Sequence, residues 1–169
     1  MERNPDKNFQ VPKWIGGQSN NSCWTLRNLE ETIAFGNDLI CTSPHIKLLL
    51  LYGQLGAGKT SLVKGIGKGL GIEEPITSPT FPLSQHYPSR TRPLIHLDLY
   101  RLENPIMANE LFLQEEEEAI SIGGIMVVEW PERLNLDLQE AWIAKIKHTR
   151  NDERSIQLFP PFNFKQSST

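Results

Sequence analysis

Eight consecutive residues carry the most specific chemistry in this chain of 169 residues: Gly53-Gln54-Leu55-Gly56-Ala57-Gly58-Lys59-Thr60, followed by Ser61. They satisfy the pattern G-x-x-x-x-G-K-[ST] in full. Glycines let the backbone curl so that successive N–H groups point inward at phosphate oxygens. The start of a following helix adds partial positive charge at the same place. Lys59 supplies a point charge for β- and γ-phosphates, and the Thr60 hydroxyl is a ligand for Mg²⁺. A chance match in a chain this long is on the order of 1 in 200. The expected binding set is Gly53, Leu55, Gly56, Ala57, Gly58, Lys59, Thr60 and Ser61, with ATP and Mg²⁺ as the ligands.

Such a loop needs an acidic residue at a strand end to hold the metal. Glu129 follows the apolar run Ile125-Met126-Val127-Val128 and should emerge at the carboxyl edge of a strand, where ligands bind in open α/β sheets. Asp98 lies in His96-Leu97-Asp98-Leu99-Tyr100, on the polar side of the alternation, as a second candidate for the metal or else a solvated strand carboxylate or ion-pair partner. Spacing ranks Glu129 first. Between the loop's helix and Asp98 lies Thr77-Ser78-Pro79-Thr80, ordinary loop chemistry at the place where a nucleotide-sensing switch would sit.

The elements that must position these groups can be read from pattern. Asn28 with Glu31 reads as a cap and its reciprocal partner, opening a helix over 29–41 that Ser43-Pro44 closes. Residues 46–52 read as a buried parallel strand, and 59–70 as the helix behind the loop. Gly65, Gly67, Gly69 and Gly71 recur there at every second position. Gly71 is the helix stop, and the others serve close packing on the sheet or mobility, close packing being preferred. Residues 93–102 read as an alternating strand, Asn104-Pro105 as a helix start, and Gly123-Gly124 as that helix's end. Residues 125–128 form a short buried strand, and 142–148 and 155–159 close the fold. The expected class is α/β: one P-loop NTPase-like domain over 22–160, its mixed sheet having a parallel core and antiparallel flanks, with helices on both faces. Residues 1–21 read as a flexible extension and 161–169 as a polar tail.

Composition bounds the function. Lys plus Arg number 17 against 20 Asp plus Glu, a net charge of −3. That excludes a strongly basic nucleic-acid clamp while leaving room for a small basic patch. The longest apolar run is five residues, Leu48 to Tyr52, against the roughly 18 a membrane span requires. The polar N-terminus carries nothing like a secretion signal, and two cysteines, Cys23 and Cys41, make no disulfide scaffold. A soluble cytoplasmic protein is expected, with no membrane partner.

Taken in order, Leu55-Gly56-Ala57-Gly58-Lys59-Thr60, Thr77-Ser78-Pro79-Thr80-Phe81, His96-Leu97-Asp98-Leu99-Tyr100-Arg101-Leu102 and Val128-Glu129-Trp130-Pro131 resemble the motifs of the TsaE (YjeE) family. These are small bacterial ATPases of tRNA N6-threonylcarbamoyladenosine synthesis. The resemblance runs from about residue 28 to 132, and more weakly to about 159. It implies ATP hydrolysis that drives or resets a complex of TsaD and TsaB, which transfers threonylcarbamoyl to an adenosine beside the tRNA anticodon, so that tRNA is met through the complex. It implies Thr60 and Glu129 as Mg²⁺ ligands, catalytic roles for Lys59, Asp98, Glu129 and Thr80, and a switch-like loop that holds Ser78 and Thr80. It also implies an adenine site near the first helix, with Glu31 or Thr32 as contact, and a nucleotide or partner contact for Trp130. Where the family usually has a glycine in the helix before the Glu-Trp strand, this chain has Gln114 and Glu115 to Glu118.

Weaker signals have simple explanations. Glu115 to Glu118 read as a solvated helix face, and His45, His86, His96 and His148 show no ligand spacing. Arg90 and Arg92 could form a lid, contact tRNA or serve solubility. No arginine announces itself as a finger for the γ-phosphate, so turnover alone should be slow and partners should accelerate it. Two other classes fit a phosphate loop: a small-molecule kinase, which usually shows an arginine-rich lid, and a nucleotide-dependent binding switch with negligible hydrolysis.

Overall fold

The computed structural model describes residues 22–161. The extension expected over 1–21 and most of the tail expected over 161–169 lie outside them. The elements are β1 (Ser22–Leu26), α1 (Leu29–Thr42), β2 (Leu48–Tyr52), α2 (Lys59–Gly69), β3 (Ser84–Tyr87), β4 (Leu94–Asp98), α3 (Pro105–Ser121), β5 (Ile125–Glu129), β6 (Trp142–His148) and β7 (Arg154–Phe159), with a 3₁₀ turn over Pro131–Arg133.

All seven strands form one sheet in the order β1-β7-β6-β2-β5-β4-β3. The inner pairs β6–β2, β2–β5 and β5–β4 are parallel, and β1–β7, β7–β6 and β4–β3 are antiparallel. Helices cover both faces. Leu49, Leu51, Val127 and Ala144 face α1 and α2, whose Phe35, Leu39, Leu62 and Ile66 fill that layer. Leu50, Ile95, Leu97, Met126 and Val128 face α3, with Phe112 and Ala119. Apolar runs without alternation suit strands covered on both sides, and β2 and β5 have such runs.

Local chemistry sets the boundaries. Asn28 caps α1 by accepting from the Glu31 N–H at 2.8 Å. The reciprocal arm differs from expectation: Glu31 returns to the Arg27 backbone N–H at 2.7 Å and to the Arg27 guanidinium at 2.6 Å. After α2, Gly71 at φ 70 lets the Ile72 N–H reach the Gly67 carbonyl at 2.9 Å and its own N–H reach Lys68 at 3.0 Å, a Schellman stop.

The glycines inside α2 do serve close packing, but against α1 at Gly65 and Gly69 and against Ile72 and Ile76 at Gly67, where packing on the sheet was expected. A Cβ on Gly65 would stand 2.0 Å from the Ile33 carbonyl oxygen. Gly36 answers from α1, where a Cβ would stand 2.4 Å from the Leu62 carbonyl oxygen. The two backbones therefore touch.

Two strands were absent from the pattern. β1 and β3 are the edges of the sheet, short and mixed in polarity, with little apolar periodicity to betray them. β4 ends at Asp98 and not near 102, because a turn follows in which the Leu102 N–H reaches the Leu99 carbonyl at 3.0 Å.

Candidate functional site

The parallel strands end together, so register alone gathers the chemistry. Asp98 pairs with Glu129, and Leu51 also pairs with Glu129. The chain leaving β2 beyond Tyr52 makes the glycine loop, and α2 starts at Lys59. β7 runs the other way, so Arg154 enters it beside His148, where β6 ends. A cleft of about 400 Å³ opens at this edge, and Lys59, Thr60, Thr80, Asp98, Glu129 and Arg154 are among the residues that line it.

The loop has the form a phosphate cradle needs. Gly58 caps α2 at φ 108, a left-handed conformation that side chains rarely adopt. A Cβ on Gly56, at φ 78, would meet nothing within 4 Å, so the loop's crest is open. Lys59 is only 4% exposed. Its Nζ donates to the carbonyls of Gly53 at 2.6 Å and Gln54 at 3.0 Å, and lies 4.1 Å from the centroid of the Trp130 ring. Burial pulls its pKa below the ordinary lysine value, and the carboxylates of Glu129, Glu132 and Asp98 oppose that pull.

Thr60 Oγ1 donates to Glu129 Oε1 at 2.9 Å. The same oxygen meets His96 Nε2 at 2.9 Å. A hydroxyl and a carboxylate touching at the mouth of a glycine loop suit Mg²⁺, which takes one or two protein ligands plus phosphate and water. Among the described residues no cluster of three or more His, Cys, Asp or Glu could hold a metal unaided. The donor set thus fits a metal that arrives with a nucleotide.

Asp98 organises the Ser-Pro-Thr loop. Its Oδ2 accepts from Ser78 Oγ at 2.8 Å and Thr80 Oγ1 at 2.7 Å, and its Oδ1 accepts from the Tyr100 N–H at 3.0 Å. It is 2% exposed, so of the alternatives left open for it the solvated strand carboxylate is excluded. β4 is covered on both faces, and Asp98, on its polar side, lines the cleft. His96, on that same side, is wholly buried.

The remaining candidates fall as follows. Trp130 lies at φ 61, a rare conformation for a bulky residue and one that gathers at functional sites. Its ring sits 4.8 Å from that of Tyr100 and against Lys59. Leu55 and Ser61 line the cleft with the loop. Ala57 is 1% exposed and packs in the core beneath the loop. Thr32 is fully buried, and its hydroxyl donates to the Asn28 carbonyl at 3.1 Å. It supports the loop from below, with its Cγ2 3.8 Å from where a Cβ on Gly58 would stand, while Leu29 lines the cleft.

Arg154 was missed. It is 6% exposed, its guanidinium lies 3.5 Å from where a Cβ on Gly58 would stand, and its Nε has no hydrogen-bond partner. Nothing local marks it, since only the antiparallel return of β7 brings it back to the loop. Glu115 also departs from expectation: it is 7% exposed and its Oε2 accepts from His86 Nε2 at 2.6 Å, tying α3 to β3, so the acidic block is not uniformly solvated. A larger cavity of about 530 Å³ lies at the opposite edge of the sheet, beside Lys47 and Trp142. Its Arg92 is spent on fold closure, donating to the carbonyls of Pro44 and Ile46.

Comparison with known proteins agrees with this geometry. The family model for Threonylcarbamoyl adenosine biosynthesis protein TsaE matches residues 26–156, which include every cleft residue named above. A relative from a Nostoc species, tRNA threonylcarbamoyladenosine biosynthesis protein TsaE, is 44% identical over 140 residues, spanning 82% of this chain and 85% of its own. The protein of the same name from Bacillus subtilis is 37% identical over 134 residues, spanning 79% and 82%. The crystal structure of YdiB from Bacillus subtilis superposes with a TM-score of 0.65 at 31% identity, covering 88% of this chain and 90% of that one.

Proposed function

The chain belongs to the TsaE family of tRNA threonylcarbamoyladenosine biosynthesis proteins, and from that premise we propose that it is a Mg²⁺-dependent ATPase working with TsaD and TsaB in threonylcarbamoyl transfer to the adenosine beside the tRNA anticodon. The observation that carries this reading is the 2.9 Å contact between the Thr60 hydroxyl and Glu129 at the mouth of the glycine loop.

In this reading the loop amides and Lys59 hold the β- and γ-phosphates, for which Lys59 exchanges the carbonyls of Gly53 and Gln54. Thr60 and Glu129 hold Mg²⁺, which neutralises charge on the transferring phosphoryl group when bound. Water attacks the γ-phosphate and ADP leaves with inorganic phosphate. Arg154 faces the loop beside Gly58 and supplies the cationic charge that no sequence motif announced. Asp98 acts through the Ser78–Thr80 loop, whose two hydroxyls it anchors. With a net charge of −3, this chain leaves the grip on tRNA to its partners.

The test is phosphate release with and without the TsaD–TsaB complex. Slow release that the complex accelerates supports the reading, with Glu129→Ala retaining ATP binding but losing turnover. Label from the γ-phosphate appearing on a small-molecule acceptor, or fast release indifferent to the complex, would overturn it.

A further inference from the structure

His96 has the geometry of a part with a task. It is completely buried, in a strand whose other side-chain positions on that face are Leu94, which is core, and Asp98, which anchors the switch-like loop. His96 pairs with Val127, so its ring reaches diagonally to Glu129, one step further along β5 on the same face. Nε2 stands 2.9 Å from Oε1, and Nδ1 has no hydrogen-bond partner. With a proton on Nε2 the ring donates to that carboxylate oxygen, while Nδ1 meets no partner.

Oε1 of Glu129 therefore takes two hydrogen bonds, one from the ring and one from Thr60 Oγ1 at 2.9 Å. A glutamate has three side-chain torsions, and two donors on one oxygen fix which way the carboxylate faces. The Thr60 bond holds the carboxylate from the loop side only, and that hydroxyl must also offer a lone pair to the metal. The histidine bond comes from the core and holds the same oxygen from the other side.

We propose that His96 is a positioning residue for metal-dependent nucleotide binding, holding the Glu129 carboxylate beside Thr60 from the buried side. The inference rests on the reading of Thr60 and Glu129 as metal ligands. Partners of this kind stand behind ligands at many metal sites, and their loss weakens metal binding about 10- to 100-fold.

The experiment is a titration of the whole protein with a fluorescent ADP analogue, with and without Mg²⁺, on wild type, His96→Phe, His96→Gln and His96→Asn. The ratio of the two affinities is the readout. In His96→Phe the ring volume stays and the donor goes, so the Mg²⁺ enhancement should shrink about tenfold or more while Mg²⁺-free affinity stays near wild type. His96→Gln places an amide donor at almost the reach of Nε2 and should restore most of the enhancement. His96→Asn falls one methylene short and should not. If His96→Phe fails to fold, as judged by circular dichroism, the contrast of Gln with Asn carries the test. Equal enhancement in wild type and every folded variant would leave His96 as a core residue only and overturn the inference. A wild type that binds the analogue without regard to Mg²⁺ fails differently: it removes the metal-site reading, and this inference with it.

Discussion

The meeting of α1 and α2 allows a prediction whose sign separates two accounts of the same glycine. By helix propensity alone, Gly65→Ala should stabilise the protein by about 1 kcal/mol, since an interior glycine costs that much relative to alanine. By packing it should do the reverse. The new Cβ would lie 2.0 Å from the Ile33 carbonyl oxygen, 2.9 Å from its carbon and 3.0 Å from the Asn37 nitrogen, all of them backbone that no rotamer change can move. Restoring ordinary contact at 3.4 Å requires about 1.4 Å of separation between the helices. A gap of roughly half to one ångström already forfeits a quarter to a half of each dispersion contact, and this interface is lined by Phe35, Leu39, Leu62 and Ile66. Overpacking of this kind costs about 1–3 kcal/mol or more. A backbone clash at 2.0 Å belongs at the upper end of that cost, which set against the propensity gain leaves a net loss of about 2 kcal/mol and lowers Tm by roughly 4–8 °C for a chain of this size. Urea unfolding should show a lower midpoint at unchanged slope. Lys64→Gly, at the exposed neighbouring position, calibrates propensity in the same helix and should cost about 1 kcal/mol. Because α2 opens with Lys59 and Thr60, Gly65→Ala should also weaken nucleotide binding. A Gly65→Ala midpoint at or above wild type would refute the packing account.

Three further outcomes follow from the site. Asp98→Ala removes the acceptor of Ser78, Thr80 and the Tyr100 N–H, and should cost about 1–3 kcal/mol, accelerate amide exchange over 77–83 and abolish turnover while nucleotide still binds; unchanged exchange there would count against the anchoring role. Arg154→Ala should weaken ADP binding by roughly 10- to 100-fold, the scale of a charge-assisted hydrogen bond, in a calorimetric titration, with a folded circular-dichroism spectrum. Lys59 has a folded-state pKa below 10.5, so the unfolded chain holds its proton more tightly and this group's contribution to stability rises with pH between the lowered value and 10.5. Phosphate binding needs the charged form, so nucleotide affinity should fall as pH rises through the lowered value; an affinity flat up to 10.5 in a titration series would contradict the burial-driven shift.

Much of this architecture was legible because its signals are local. The glycine loop, the Asn28 cap, the Gly71 and Gly123 stops and the apolar runs of β2 and β5 each report on a few neighbouring residues. What escaped was non-local. β1 and β3 are edge strands whose short mixed sequences gain meaning only from the partners they pair with. Arg154 lies 96 positions from Gly58, and only the antiparallel return of β7 joins them. Glu115 sits in a run of four glutamates that pattern cannot tell apart, yet α3 turns this one onto His86.

β4 is the most instructive element, because its alternation is real and solvation is not the cause. In a strand with one face in water, every second residue is polar because water solvates it. β4 is covered on both faces, so no residue of Leu94–Asp98 is exposed, and solvation cannot account for His96 and Asp98. Burying an imidazole and a carboxylate without partners would be costly. Both have them: Glu129 for the one, Ser78, Thr80 and the Tyr100 N–H for the other. The polar face of such a strand marks the side on which the site is built. The run His96-x-Asp98 beside a glutamate at the end of the neighbouring strand is then itself a signal, since parallel register at a common carboxyl edge leaves these groups few partners except one another and the residues that open α2.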